Sequence, residues 1–194
     1  MEKQGMADFF DLLKTRRAVR KFKDEPVDHD LVMEIIRDSC LAPSGGNRQS
    51  WRFIVIHDQD LIRRVSDDSK ANLIADLDRN PESSARPYET ALRNPNFNVF
   101  YNAPCLVIIC GPLSSRSVVV DCALAAAYFM FSAAARGLGT CWVDLGARIQ
   151  EPALIEEIGL PPDHRIVAPI IIGHPAFIPG VPSRNEPKVL KVLP

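Results

Sequence analysis

No two cysteines in this chain are spaced for a metal or a redox pair. Cys40, Cys105, Cys110, Cys122 and Cys141 are odd in number, contain no Cys-x-x-Cys and mostly sit in apolar runs. That pattern argues against a disulfide framework or a zinc site and for buried, reduced thiols. The four histidines, His29, His57, His164 and His174, are scattered without ligand spacing, so none is assigned to a metal. No Gly-x-Gly-x-x-Gly follows a strand-like run, which leaves a nucleotide fold of that type without support. Charge is nearly balanced: 23 Lys and Arg against 24 Asp and Glu give a net charge of −1. A nucleic-acid partner needs a broad basic face, and this balance does not supply one. There is no Ser/His/Asp or paired-carboxylate constellation. Met1 to Gly5 leads into a mixed segment rather than an apolar core, so no signal peptide is expected.

Long apolar runs are scarce too. Only Val118 to Ala135 could mimic a membrane span, and Asp121 interrupts it. The remaining uninterrupted stretch falls short of the roughly 20 residues that cross a bilayer. A buried core helix in a cytoplasmic chain, with no membrane partner, is the expectation.

What is present suits one folded domain over residues 1–194, with 46% apolar residues to build a core. Met6 to Thr15 reads as a short helix. Asp28 is placed to cap a helix through about Leu41, and Asp58 a helix from Leu61 to about Leu77. Trp51 to His57 reads as a strand, and Cys105 to Cys110 as a strand buried on both faces. Residues 80–98, with three prolines, read as a loop with a helical turn near Tyr88 to Leu92. Ser117 to Arg136 is a long helix ended by Gly137. Strand Thr140 to Leu145, helix Pro152 to Ile158 and strand Ile166 to Ile172 follow, the last losing one donor at Pro169. The final twenty residues are extended and proline-rich. Helices alternate with strands, which sets the class as α/β or α+β.

Two segments carry chemistry. Thr15-Arg16-Arg17-Ala18-Val19-Arg20-Lys21-Phe22 places three guanidinium groups within five residues. That is too few for nucleic acid and enough for one phosphate, which the planar donor fork of Arg holds well. The plain alternative is a solvated helix end whose cations offset the dipole. Ala42-Pro43-Ser44-Gly45-Gly46-Asn47-Arg48-Gln49-Ser50-Trp51 is a loop of small and amide residues that brings donors close to a polar ring. Pro and Gly alone would explain it as a helix stop; the amides of Asn47 and Gln49 are what that leaves over. Together the segments suggest a phosphorylated heterocyclic cofactor.

These residues, in this order, resemble the FMN-dependent nitroreductase family. Arg-Arg-x-x-Arg-x-Phe is followed by Pro26-Val27 and Ala-Pro-Ser-x-x-Asn-x-Gln-x-Trp. Then come Tyr101-Asn102-Ala103-Pro104, an Ala-rich helix running into Gly137-Leu138-Gly139-Thr140-Cys141-Trp142, Ile172-Gly173-His174-Pro175, and Pro182-Ser183-Arg184. The blocks span about Thr15 to Val189. The resemblance implies an α+β nitroreductase-like fold, a central mixed β-sheet surrounded by helices, paired as an intertwined homodimer. It also implies FMN as cofactor, NADH or NADPH as electron donor, and a small electron-poor acceptor such as a nitroaromatic or a quinone, in a ping-pong reaction. In that pattern Arg16, Arg17 and Arg20 hold the phosphate and the pyrimidine edge of the flavin, with Ala18 where the family often has Ser. Pro43, Ser44, Gly45, Asn47 and Gln49 reach the partner's flavin. Asn96 or Asn98 meets the pyrimidine edge. Trp142, Val143, Asp144 and Leu145 lie along the flavin, where backbone N–H groups near Asp144 and Leu145 stabilise charge on the reduced ring. Arg184 closes on the phosphate. Cys141 has no basic partner nearby in sequence and is not expected to be a nucleophile. No side chain is assigned as catalytic; the cofactor carries the chemistry. The rival readings are a specialised same-fold enzyme (a dehalogenase, an oxidase or one that consumes its flavin), a flavin-binding redox module without turnover, and a small nucleotide-binding regulator.

Overall fold

The computed structural model of the protein describes residues 8–193. Six helices and four strands follow one another as α1 (Phe9–Thr15), α2 (His29–Ser39), β1 (Arg52–Ile56), α3 (Gln59–Arg79), α4 (Glu89–Leu92), β2 (Cys105–Pro112), α5 (Val118–Ala135), β3 (Gly139–Trp142), α6 (Pro152–Glu157) and β4 (His164–Gly173). The expected first helix starts at Phe9 in the described residues; Met6 lies outside them.

The helix starts are set locally. The Asp28 carboxylate accepts from the Leu31 N–H at 3.0 Å and that of Asp58 from the Leu61 N–H at 2.8 Å, each satisfying an orphan donor of the first turn. At the end of α5, Gly137 takes φ +76°, and the Leu138 N–H returns to the Ala133 carbonyl at 3.0 Å. That turn needs a residue without a Cβ penalty, and it aims the chain back along the sheet into β3.

The sheet runs in the order β1-β2-β4-β3, and every strand pair in it is antiparallel. The expected mixed sheet is thus corrected to an antiparallel one among the described residues; the parallel contact is an isolated bridge from Ala18, outside the strands, to Thr140 on the β3 edge. Pro169 sits inside β4 opposite Ile108, and the β2–β4 register slips between Ile109 and Cys110, close to it. The donor that Pro169 lacks faces β3, because its carbonyl accepts the Val143 N–H on that side, and β3 ends there.

Strand alternation divides the core into two layers. Val107, Ile109, Ile170 and Ile172 face α2 and α5 with Phe129 and Trp51. Leu106, Ile108 and Ile171 face α3 with Leu92 and Phe100. Residues 80–98 are tied down more firmly than their composition suggested. Arg86 donates to the carbonyls of Leu77 and Asn80, each at 2.9 Å, closing the C-terminal end of α3, and Lys70 holds the carbonyl of Asn94 at 2.6 Å.

The long apolar helix is core on one side only. Val118, Asp121, Cys122, Ala125, Ala126, Phe129 and Ala133 are buried. Val119, Val120, Leu124 and Tyr128 are exposed. By length and composition α5 could span a membrane, yet 39% of it is buried inside this fold. Its open face continues into an apolar groove of about 790 Å³ lined by Phe9, Leu12, Leu41, Tyr128 and Phe131.

Candidate functional site

The bridge from Ala18 to Thr140 lays residues 16–20 beside β3, with the Val19 N–H donating to the Thr140 carbonyl at 2.9 Å. The contact is close because β3 starts with Gly139: a Cβ there would lie 2.7 Å from Val19 Cγ1. This one pairing unites two blocks far apart in sequence, the Arg cluster and residues 142–145.

The cations gather without carboxylate partners. Arg16, Arg17, Arg20 and Arg184 take part in no ion pair among the described residues. The Arg16 guanidinium is pushed below its ordinary pKa, first by burial and then by Arg17, with Arg184 adding to the repulsion and Cys141 opposing it. Arg184, in the exposed tail, lies close enough for its charge to be felt at Arg16. Arg16 also stacks on the Phe131 ring, 5.7 Å from its centroid. Like charges near the half-buried Arg16 are an electrostatic cost that a bound anion relieves.

Arg17 is differently occupied. Its Nε donates to the Gly180 carbonyl at 3.3 Å, and its terminal nitrogens donate to the carbonyls of Arg16 and Lys14. These bonds tie the tail at Gly180 to the end of α1.

Arg20 turns the other way. It stacks over Tyr101, 5.7 Å from the ring centroid, and lines a cavity of about 340 Å³ with Tyr88, Tyr101, Cys141, Trp142, Val143, Asp144, Leu145 and Arg148. The expected strand here ends early, at Trp142. The Val143 N–H goes to the Pro169 carbonyl at 2.8 Å, and the chain then winds into a 3-10 turn over Asp144–Ala147. No side chain caps that turn. Its first N–H groups, those of Asp144 and Leu145, are thus offered at the cavity wall. Gly146 permits the turn, since a Cβ there would lie 2.2 Å from the Phe100 ring.

Cys141 is buried in the same wall, and its thiol donates to the Trp142 carbonyl at 3.4 Å. Burial pushes its pKa up, against the pull of Arg20 and Arg16, so it stays a protonated thiol as expected. Cys105 and Cys122 are pushed up to about 12 and Cys110 to about 11, again by burial. All five cysteines are free.

The loop with Pro43, Ser44, Gly45, Asn47 and Gln49 is not at this cavity. Gly45 packs on Ser117 and Asp121 at the start of α5, whereas Arg16 and Gly139 lie with Ala134 and Gly137 at its end. Eighteen residues of helix separate the two by roughly 27 Å. Asn96 is exposed in a turn, its N–H bonded to Asn94 Oδ1 at 3.0 Å, and Asn98 caps Phe100 at 2.7 Å; neither lines the cavity.

Tyr101 lines this cavity, a role that its place in the Tyr-Asn-Ala-Pro motif does not disclose. It and Asn102 both hold left-handed backbone, at φ +54° and +52°. Such strain in residues with side chains concentrates at functional sites. Burial raises the Tyr101 phenol pKa, with Arg20 pulling against it, so the phenol stays protonated. Arg148 and Tyr88 were missed altogether, since nothing in the sequence joins positions 88, 101 and 148 around one space.

The donors fit a flavin mononucleotide. Arg16 suits a phosphate, Arg20 a carbonyl-rich ring edge, and the free N–H groups of the 144–147 turn a ring that gains negative charge.

Comparison with known proteins identifies the fold and the family. A Desulfitobacterium hafniense nitroreductase with bound FMN superposes with a TM-score of 0.80 at 20% identity, covering 95% of this chain and 97% of that one. An iodotyrosine deiodinase bound to FMN and 3-iodo-L-tyrosine gives 0.72 at 24% identity, covering 95% and 99%. In sequence, a Methanothermobacter thermautotrophicus protein with the provisional name NADH dehydrogenase/NAD(P)H nitroreductase is 25% identical over 190 residues, 95% of this chain and 86% of its own. The family model of the nitroreductases matches residues 13–174, and the chain therefore belongs to the nitroreductase family.

Proposed function

We propose that the protein is an FMN-dependent NAD(P)H oxidoreductase that reduces nitroaromatic, quinone or similar electron-poor small molecules, working as an intertwined homodimer in the cytoplasm. The observation that carries this reading is Arg16, held against the Phe131 ring beside Arg17 in one cavity wall, with neither guanidinium in an ion pair among the described residues. FMN, when bound, supplies the redox chemistry, taking hydride from the nicotinamide and passing electrons to the acceptor. This chain's residues bind and orient. Arg16 and Arg184 hold the phosphate, Arg20 the pyrimidine edge, and the N–H groups of Asp144 and Leu145 the side of the ring where charge develops. Tyr101 and Tyr88 wall the space in which donor and acceptor take turns.

The dimer is supported by what one chain leaves unfinished. The loop 43–49 and the Arg cluster, at opposite ends of α5, cannot touch one flavin within a single chain. Pairing two chains along the exposed face of α5 brings the loop of one to the arginines of the other. The tail has the same incompleteness: Leu190 is 99% exposed and Val192 82% exposed. An extended apolar arm of this kind fits the groove by Phe9, Leu41 and Phe131 on a second copy.

Steady-state kinetics with NAD(P)H and a nitroaromatic or quinone test the reading. Parallel double-reciprocal lines are expected, because one cavity serves both substrates. Converging lines mean that both bind together, and absence of NAD(P)H oxidation leaves a binding module without turnover. A second reading, reductive dehalogenation, is favoured by the fold shared with an iodotyrosine deiodinase bound to FMN and 3-iodo-L-tyrosine. Halide release from an iodinated phenol under reducing conditions identifies that activity.

A further inference from the structure

The loop 43–49 is anchored by a buried carboxylate that nothing above uses. Asp121, in the first turn of α5, is 1% exposed. It has no cationic partner among the described residues. Acidic side chains are seldom buried this far without one. Its two oxygens are instead met by neutral donors. Oδ1 accepts from the Gly45 N–H at 2.9 Å, and Oδ2 from the Ser117 hydroxyl at 2.8 Å. The N-terminal end of α5 adds a favourable dipole.

What Asp121 grips is a loop in an improbable shape. Gly46, Asn47 and Gln49 all hold left-handed backbone, at φ +58°, +55° and +50°. Two of them carry a Cβ, and such conformations persist where the surroundings over-determine them. Inside the loop, the Gln49 N–H donates to Ser44 Oγ and the Gln49 amide to Asn47 Oδ1, each at 3.0 Å. These bonds fix the loop's form but not its place. Its place is fixed by an exposed bond from Arg52 to the Gln49 carbonyl at 3.3 Å and by the sheltered grip of Asp121 on Gly45. The fit at Gly45 leaves no slack: a Cβ there would lie 2.9 Å from Ser117 Oγ.

We infer that Asp121 is a positioning residue for the cofactor site: by holding Gly45 it presents the amides of Asn47 and Gln49 to the flavin of a second copy of this chain. The inference rests on the shared-site reading above. It explains a buried charge on a helix otherwise given over to apolar packing.

The test uses the full chain with FMN as probe. Flavin fluorescence gives the affinity, light scattering the mass, and melting of the apo protein the stability. Asp121→Asn can keep both contacts, its oxygen taking the Gly45 N–H and its amide donating to Ser117 Oγ. Asp121→Ala keeps neither. The alanine variant is expected to remain dimeric and to bind FMN about tenfold or more weakly, in line with losing a charged hydrogen bond. The asparagine variant should stay within about threefold of wild type. Should the alanine variant fail to fold, Gly45→Ala displaces the loop while leaving the carboxylate intact, and the same loss of affinity is expected. A lower melting temperature with unchanged FMN affinity in either variant overturns the inference, since that is what a structural role alone produces. Mixed dimers separate the two levels of the argument. Combining an Arg16→Ala chain with an Asp121→Ala chain should restore one of the two flavin sites, because one site then receives an intact arginine and an intact loop. Weak binding by Asp121→Ala that mixing does not relieve overturns presentation to a second copy, and with it the shared site.

Discussion

Removing Arg16 separates the phosphate role from every other role of the Arg cluster. On the proposed function, Arg16→Ala takes away a charged hydrogen bond to phosphate, of the kind that contributes about 1.5–3 kcal/mol, or roughly a ten- to hundredfold loss of FMN affinity. Riboflavin lacks the phosphate, so its affinity should hardly change. The apo protein should tolerate the change. It loses a cation–π contact with Phe131, worth about 0.5–1 kcal/mol, and is relieved of repulsion from Arg17 and Arg184. The two effects oppose each other, so apo stability should move by no more than about 1 kcal/mol. Isothermal titration with FMN and with riboflavin, alongside melting of the apo protein, reads all three quantities. Equal weakening of both ligands refutes the phosphate assignment. A collapse of apo stability refutes the claim that these cations are gathered for a ligand. Arg20→Ala is the contrast: it faces the ring cavity and should weaken FMN and riboflavin alike.

Four further outcomes follow from the same contacts. Gly139→Ala drives a Cβ into Val19, so it should cost about 1–3 kcal/mol of stability and lower FMN affinity by parting residues 16–20 from β3; denaturant melts with and without FMN check it. His57 lies 3.4 Å from His29, and its pKa is lowered by burial and by that neighbour, with Asp28 in opposition. Because the unfolded chain takes up this proton first, stability should be full above about pH 6.5 and decline as the pH falls towards the folded value; His57→Gln should flatten that decline in calorimetry. Lys70→Met frees the carbonyls of Asn94 and Phe97 and should raise amide hydrogen exchange over residues 94–98 while leaving β2 protected. Leu124→Glu on the open face of α5 should yield a monomer with weakened FMN binding, seen by light scattering and flavin fluorescence; a stable dimer with full flavin refutes the α5 interface.

The features legible in sequence were those that a few adjacent residues decide. Asp28 and Asp58 announce their helices because the cap and the N–H it satisfies lie three residues apart. Gly137 and Gly159 mark helix ends through positive φ, again a local matter. The strand end at Trp142 was not legible. The Val143 N–H still meets the Pro169 carbonyl in the β3–β4 register, but proline has no N–H to return, and no local pattern near Leu145 reports that. Arg17 looked equivalent to Arg16 because composition shows a donor but not its acceptors; three backbone carbonyls claim it. Burial of α5 was half legible: its apolarity was plain, whereas which face meets the sheet depends on the packing of α2 and the strands. Asp121 was noticed only as an interruption, because its partner Gly45 lies 76 positions away.

The most direct test of the central claim is the absorption spectrum of the freshly purified protein, followed by anaerobic titration with NADH and NADPH. The account expects a flavin spectrum with about one FMN per chain, released intact on denaturation and bleached by a reduced nicotinamide. A protein that carries no flavin, gains none when FMN is added, or holds a different nucleotide in its place contradicts the account.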